Sequence, residues 1–237
     1  MSTYVLVHGA WHGAWCWFKL TPLLQELGHK VLTPDLPSHG IDKTPTASIT
    51  LKDYSQRIVE ILDSCPGKVI LVGHSMGGVV ITEAAQARPE KVEKLVYVTA
   101  FLLQDGETLL DVASQDPQAL VIPNLVISTD QSSAVLKDEV IDDAFYGGCS
   151  ASDIALARSL LVPQAGAPFA TPVHTTLDGW GSMAHYYIEC LQDRAISIDS
   201  QRSMYKKDSG VRVHSMNTGH SPFLSAPQEL VDHLTDL

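Results

Sequence analysis

The chain has 237 residues, 45% hydrophobic and 18% charged, so it can bury a sizeable core and is far from the composition of a disordered segment. Its net charge of −11 argues against a nucleic-acid surface or an anionic membrane as partner, and no apolar run is long enough to span a bilayer. Cys16, Cys65, Cys149 and Cys190 are scattered without a C-x-x-C pair, and the Met1-Ser2-Thr3 start carries no basic leader, so free thiols in a reducing cytoplasm are expected.

The first predicted strand covers residues 4–7 and runs into His8-Gly9-Ala10-Trp11-His12-Gly13, where two glycines let the backbone turn closely. A helix is predicted over 15–27, with Leu20, Leu23, Leu24 and Leu27 as its apolar face and Gly28 as its stop. A strand at 30–33 and a polar loop follow. Thr50 is placed to cap a helix over 51–62. After Pro66-Gly67, the apolar run 69–72 reads as a short buried strand. It leads into Gly73-His74-Ser75-Met76-Gly77 and a helix over 79–87.

Strand, sharp turn and helix around G-x-S-x-G are the context of a nucleophile elbow, which lifts a serine hydroxyl clear of a sheet edge. The Met76 N–H then opens a helix, where unpaired donors and the dipole favour developing negative charge. Another strand is predicted at 94–98. Strands alternating with helices at this spacing indicate βαβ units and a parallel sheet with helices on both faces.

That rhythm breaks from about 104 to 172. The pattern there is read as helical with short loops, with candidates at 109–112, 132–145 and 151–161. An insertion at this point reads as a helical cap over the C-terminal edge of the sheet. The sheet resumes at 186–190 and 211–215, and a helix over 227–234 closes the chain. The expected organisation is one compact domain, with core segments 1–103 and 183–237 and a cap at 104–182.

An activated serine needs an acid and a histidine, expected in that order after the cap. Asp193 and His220 each lie just past a predicted strand, at the edge where reactive groups of parallel sheets gather. Asp105, just past the strand at 94–98, is the rival acid, while Asp178 and Asp199 read as surface or capping residues. His8 and His12 are spaced i, i+4 but lack the Glu of H-E-x-x-H, so no metal is expected. His8 is expected to shape its turn and His74 to point away from the serine into a structural hydrogen bond. His12 is read either as facing the pocket or as structural. Trp11 is the aromatic residue expected to touch substrate. Leu160, Phe169, Leu177, Trp180 and Met183 either line an apolar pocket or pack within the cap.

With these residues in place the chain resembles the α/β-hydrolases, and within them the plant methylesterase and hydroxynitrile lyase family and its bacterial esterase relatives. The segments that carry the resemblance are the stretch from Val7 to Trp17, then Leu27-Gly28-His29-Lys30-Val31 and Asp35-Leu36-Pro37. The elbow, Asp193-Arg194-Ala195-Ile196 and Gly219-His220 complete them.

The resemblance implies Ser75, Asp193 and His220 as catalytic residues and the Ala10 and Met76 amides as oxyanion donors, with no cofactor. The lyases carry a threonine where this chain has Gly9 and a lysine where it has Ser221, so hydrolysis of a small ester is favoured over cyanohydrin cleavage. Glycine at position 9 is expected to open space beside the oxyanion site. Gly9, Trp11, His12, Leu160 and Trp180 are the candidate substrate contacts. The alternatives are a hydroxynitrile lyase, a cofactor-free haloperoxidase or C–C hydrolase, and a non-enzymatic small-molecule binder. A homodimer is compatible with any of them.

Overall fold

The computed structural model describes residues 1–237. In chain order the first half holds strand β1 (Thr3–Val7), helix α1 (Leu20–Glu26), β2 (Lys30–Leu32), α2 (Leu51–Ser64), β3 (Val69–Ser75), α3 (Gly77–Ala87) and β4 (Val92–Ala100). The middle segment holds α4 (Leu109–Ser114), β5 (Leu125–Ile127), β6 (Ser133–Leu136), α5 (Ile141–Phe145), α6 (Ala151–Leu160), β7 (Gln164–Ala165) and α7 (Ala167–Ala170). The chain then returns through β8 (Ala184–Cys190), α8 (Ile198–Tyr205), β9 (Arg212–Met216), α9 (Pro222–Ser225) and α10 (Pro227–Thr235).

Six strands form one parallel sheet in the order β2-β1-β3-β4-β8-β9. Every residue of β3 is buried, as its unbroken apolar run requires of a strand covered on both faces. Thr50 caps α2 in a reciprocal box: its side chain accepts from the Asp53 amide, and the Asp53 carboxylate accepts from the Thr50 amide at 2.8 Å.

Two elements differ from expectation. The helix expected over 15–27 is split into a 3-10 turn at Ala14–Trp17 and α1 at Leu20–Glu26. Pro22 explains the break, because its ring would collide with the carbonyl four residues upstream, at Phe18, if the helix ran through.

The second difference lies in the insertion, which is mixed rather than helical. Residues expected as a helix over 132–145 form β6 and only then α5. β6 sits between β5 and β7 in a three-stranded antiparallel sheet. Asp130 shapes the tight β5–β6 turn by accepting from the Ser128 hydroxyl at 2.6 Å and the Ser132 amide at 3.1 Å. With that turn made, the β-branched residues of β5 pair across the hairpin, and local helix propensity loses to tertiary pairing.

Candidate active site

Five loops that follow strand ends meet at the C-terminal edge of the sheet. The sharpest is the turn after β3, where Ser75 has φ +54°, a left-handed backbone that costs a non-glycine residue strain. Glycines permit it. A Cβ on Gly73 would lie 2.6 Å from the Gly77 carbonyl oxygen, and one on Gly77 would lie 2.6 Å from that of Val7. The turn sets the Met76 amide at the start of α3, and that N–H donates to no group of the chain.

The Ala10 amide, in the loop after β1, is likewise unpaired. Ala10, Met76 and Ser75 all border one narrow cavity. Thirteen of its sixteen lining residues are hydrophobic, among them Trp11, Phe101, Leu109, Phe145, Phe169 and Ile196, so it suits an apolar group.

Asp193 stands in the loop after β8 and His220 in the loop after β9. Their side chains are 0% and 1% exposed, and His220 Nδ1 donates to Asp193 Oδ2 at 2.7 Å. The other carboxylate oxygen accepts from the Ala195 amide at 2.7 Å and the Ile196 amide at 3.0 Å. The Thr99 hydroxyl, at the end of β4, also donates to Oδ2. With Nδ1 committed to the carboxylate, Nε2 is the nitrogen left to accept a proton. His220 is held from behind as well, because His74 Nε2 donates to the His220 carbonyl at 2.8 Å. Burial, with His220 and His12 close by, pushes His74 well below the usual imidazole range, so it serves as a neutral strut.

His8 shapes its turn, donating from Nδ1 to the Gly9 carbonyl at 2.8 Å and accepting the Leu36 amide at Nε2 at 3.1 Å. Trp11 lines the cavity. Gly9 touches the site differently from expectation: a Cβ there would lie 2.8 Å from Ser75 Cβ, so glycine allows close approach and leaves no open space.

His12 does not line the cavity. Its Nδ1 donates to the Ala10 carbonyl at 2.7 Å and its Nε2 accepts the Tyr146 hydroxyl at 3.0 Å, while burial lowers its pKa to about 4 and keeps it neutral.

Leu160 and Trp180 are also outside the cavity wall. Leu160 is 37% exposed on α6. The Trp180 indole donates to the Tyr97 hydroxyl at 2.8 Å and lies tilted against His185 with ring centroids 4.2 Å apart, which holds it in the packing near the N-terminal start of β8. Leu177 is exposed, whereas Phe169 is in the wall. Asp105 is exposed and accepts from the Thr175 amide, away from His220. Asp199 accepts from the Gln118 side chain at the surface.

Sequence reasoning missed Thr99, Phe145 and Gln164. Thr99 carried a faint signal, since it ends the strand after the elbow. Phe145 and Gln164 carried none, because the segment from about 104 to 172 reads as helical with short loops.

The alpha/beta hydrolase family profile matches residues 4–233. The chain belongs to the alpha/beta hydrolase family. Methylesterase 2 of Arabidopsis thaliana is 34% identical over 248 residues, covering 98% of this chain and 94% of its relative. Among solved structures, polyneuridine aldehyde esterase superposes with a TM-score of 0.89 at 29% identity, covering 100% of this chain and 98% of the other. A pyrethroid hydrolase from Sphingobium faniae JZ-2 superposes with a TM-score of 0.90 at 28% identity, covering 99% and 96%. This alpha/beta hydrolase is thus a carboxylic-ester hydrolase of the plant methylesterase and hydroxynitrile lyase group. The lyase alternative has less support: the alpha-hydroxynitrile lyase of A. thaliana, 33% identical and covering 98% of this chain and 95% of its own, stands among relatives named as esterases.

Proposed function

We propose that the protein hydrolyses small carboxylic esters, methyl or aryl esters among them, through an acyl-enzyme on Ser75. In this reading His220 Nε2 takes the Ser75 proton as the hydroxyl attacks the ester carbonyl. Asp193 holds the imidazole tautomer and stabilises the imidazolium that forms. The Ala10 and Met76 amides receive the tetrahedral oxyanion, and removal of one such donor costs about 2.7–4 kcal/mol in activation free energy. His220 then passes its proton to the leaving alkoxide, and water repeats the sequence on the acyl-enzyme. No metal or organic cofactor enters any step.

The observation that carries this reading is one arrangement: a fully buried Asp193–His220 pair, tied through His74 to the turn of a strained serine that shares its cavity with two unpaired amides. Ser75 Oγ and His220 Nε2 make no hydrogen bond to each other, and neither is engaged by another group of the chain. In unliganded hydrolases the bond between nucleophile and base is often long and tightens in the substrate complex. Residues 104–182 act as the cap that excludes water and selects the ester, and the apolar wall favours an uncharged acyl or alcohol group. A cytoplasmic setting fits the four free cysteines. No helix is long and apolar enough to cross a membrane.

The test is hydrolysis of p-nitrophenyl butyrate by wild type, Ser75→Ala and His220→Ala. Each variant is expected to lose about 10⁴-fold or more in kcat while keeping the wild-type circular dichroism spectrum. Activity retained by either one contradicts the assignment.

A further inference from the structure

The loop that carries the Ala10 amide is held from the middle segment rather than by its own strand. Trp11, directly after Ala10, has φ +63°, a conformation that a bulky side chain keeps only when its surroundings over-determine it. Three bonds do so. The Trp11 amide donates to Gln164 Oε1 at 3.4 Å, the indole Nε1 donates to the Ala134 carbonyl at 2.8 Å, and the Trp11 carbonyl accepts the Val162 amide at 3.0 Å. All three partners lie on or beside β6 and β7.

Gln164 is the side chain in this clamp. It is 0% exposed and uses its whole amide: Oε1 also accepts His39 Nε2 at 2.9 Å, and Nε2 reaches the Tyr54 hydroxyl at 3.0 Å and the Ala165 carbonyl at 2.9 Å. Two backbone groups fix which way the amide faces. The Trp11 N–H can only donate and the Ala165 carbonyl can only accept, so a flipped amide would break both bonds. One buried side chain therefore joins β7, α2, the loop after β2 and the oxyanion loop.

We propose that Gln164 is a positioning residue, which aims the Ala10 N–H at the developing oxyanion by locking Trp11 to the cap sheet. This rests on the serine-esterase reading. A buried amide with every partner made is rigid, and rigidity is what an oxyanion donor needs, because the donor contributes only if it is already in place when charge appears. Gln164 does not border the cavity and touches no substrate. Its effect belongs to the transition state and not to ground-state binding.

Gln164→Leu keeps the approximate volume and removes the bonds. With p-nitrophenyl butyrate, kcat is expected to fall about 10–100-fold with KM within threefold, somewhat less than deletion of an oxyanion donor itself. An alkyl trifluoromethyl ketone, which forms a tetrahedral adduct, should lose affinity by the same factor as kcat/KM, while inhibition by butyrate stays within twofold. A kcat within threefold of wild type overturns the proposal. So does equal weakening of ketone and butyrate, which marks general damage to the pocket. Should Gln164→Leu fail to fold, Tyr54→Phe removes one partner of the same amide. It should lower kcat and ketone affinity together by about 3–10-fold, and no change in either overturns the proposal. A wild-type protein that neither hydrolyses the ester nor binds the ketone is a different result, and it removes the esterase reading from which this one follows.

Discussion

His220 Nδ1 donates to Asp193 Oδ2 at 2.7 Å in a pocket that leaves neither side chain accessible to water. A carboxylate so placed fixes one tautomer of the ring. Asp193→Asn keeps the shape but turns an acceptor into a group that can leave the ring in the wrong tautomer, so kcat is expected to fall about 10³–10⁴-fold. Asp105→Asn, at an exposed carboxylate bonded to the Thr175 amide, should stay within twofold of wild type. Ester hydrolysis by the two variants checks this, and the reverse order would move the acid.

Thr99→Val should act through Asp193. Loss of the hydroxyl removes one of four groups donating to that carboxylate and frees its rotation, with an expected 3–30-fold fall in kcat and little change in KM. Steady-state kinetics on the same ester measures it.

Gly9→Thr tests the relation to the lyases. A Cβ at position 9 meets Ser75 Cβ at 2.8 Å, so the substitution should displace the elbow and lower esterase kcat at least about 100-fold without giving cyanide release from mandelonitrile. Kinetics with both substrates decides it.

The order of strands and the elbow were legible because the strands of a buried parallel sheet are short apolar runs separated by helices, and Val69 to Val72 is the clearest of them. Asp193 and His220 were legible because each follows a strand directly. The cap was not. Ser133-Ala134-Val135-Leu136 has no helical or strand period strong enough to decide by itself, and it becomes a strand only because β5 and β7 flank it. Gln164 is a polar residue in a two-residue strand, and nothing local marks it as buried. Leu160 and Trp180, open between pocket wall and internal packing, fall outside the wall for the same reason: which face of an element in this segment meets the cavity depends on long-range packing.

Phe145 should set the size limit for substrate. With Trp11 it borders both the cavity at Ser75 and a neighbouring pocket walled by Leu136, Ile141, Leu161 and Val162, so it separates the two. Phe145→Val should join them and raise the decanoate-to-acetate ratio of kcat/KM by about tenfold, at a stability cost of about 2–4 kcal/mol. A p-nitrophenyl ester series and urea unfolding measure the two effects. An unchanged chain-length profile would mean that the wall lies elsewhere.

The fold should be acid-sensitive well above the carboxylate range. Burial lowers His8, His12, His39 and His74 below the usual imidazole pKa, His12 to about 4. The unfolded chain then binds protons that the native state refuses. Stability is complete above pH 6.5 and falls as pH drops from there toward 4, by more than one proton per molecule. Urea unfolding at pH 7.5, 6 and 5 should show the midpoint dropping across the series. His12→Gln should flatten the slope, and a midpoint independent of pH over this range would contradict the neutral assignments.

The most direct measurement of the central claim is covalent. Wild-type protein treated with a fluorophosphonate should gain one adduct per chain, found by peptide mass spectrometry on Ser75, and His220→Ala should label at least about 100-fold more slowly. An unmodified wild-type chain, or an adduct on any other residue, would contradict an activated serine at the elbow.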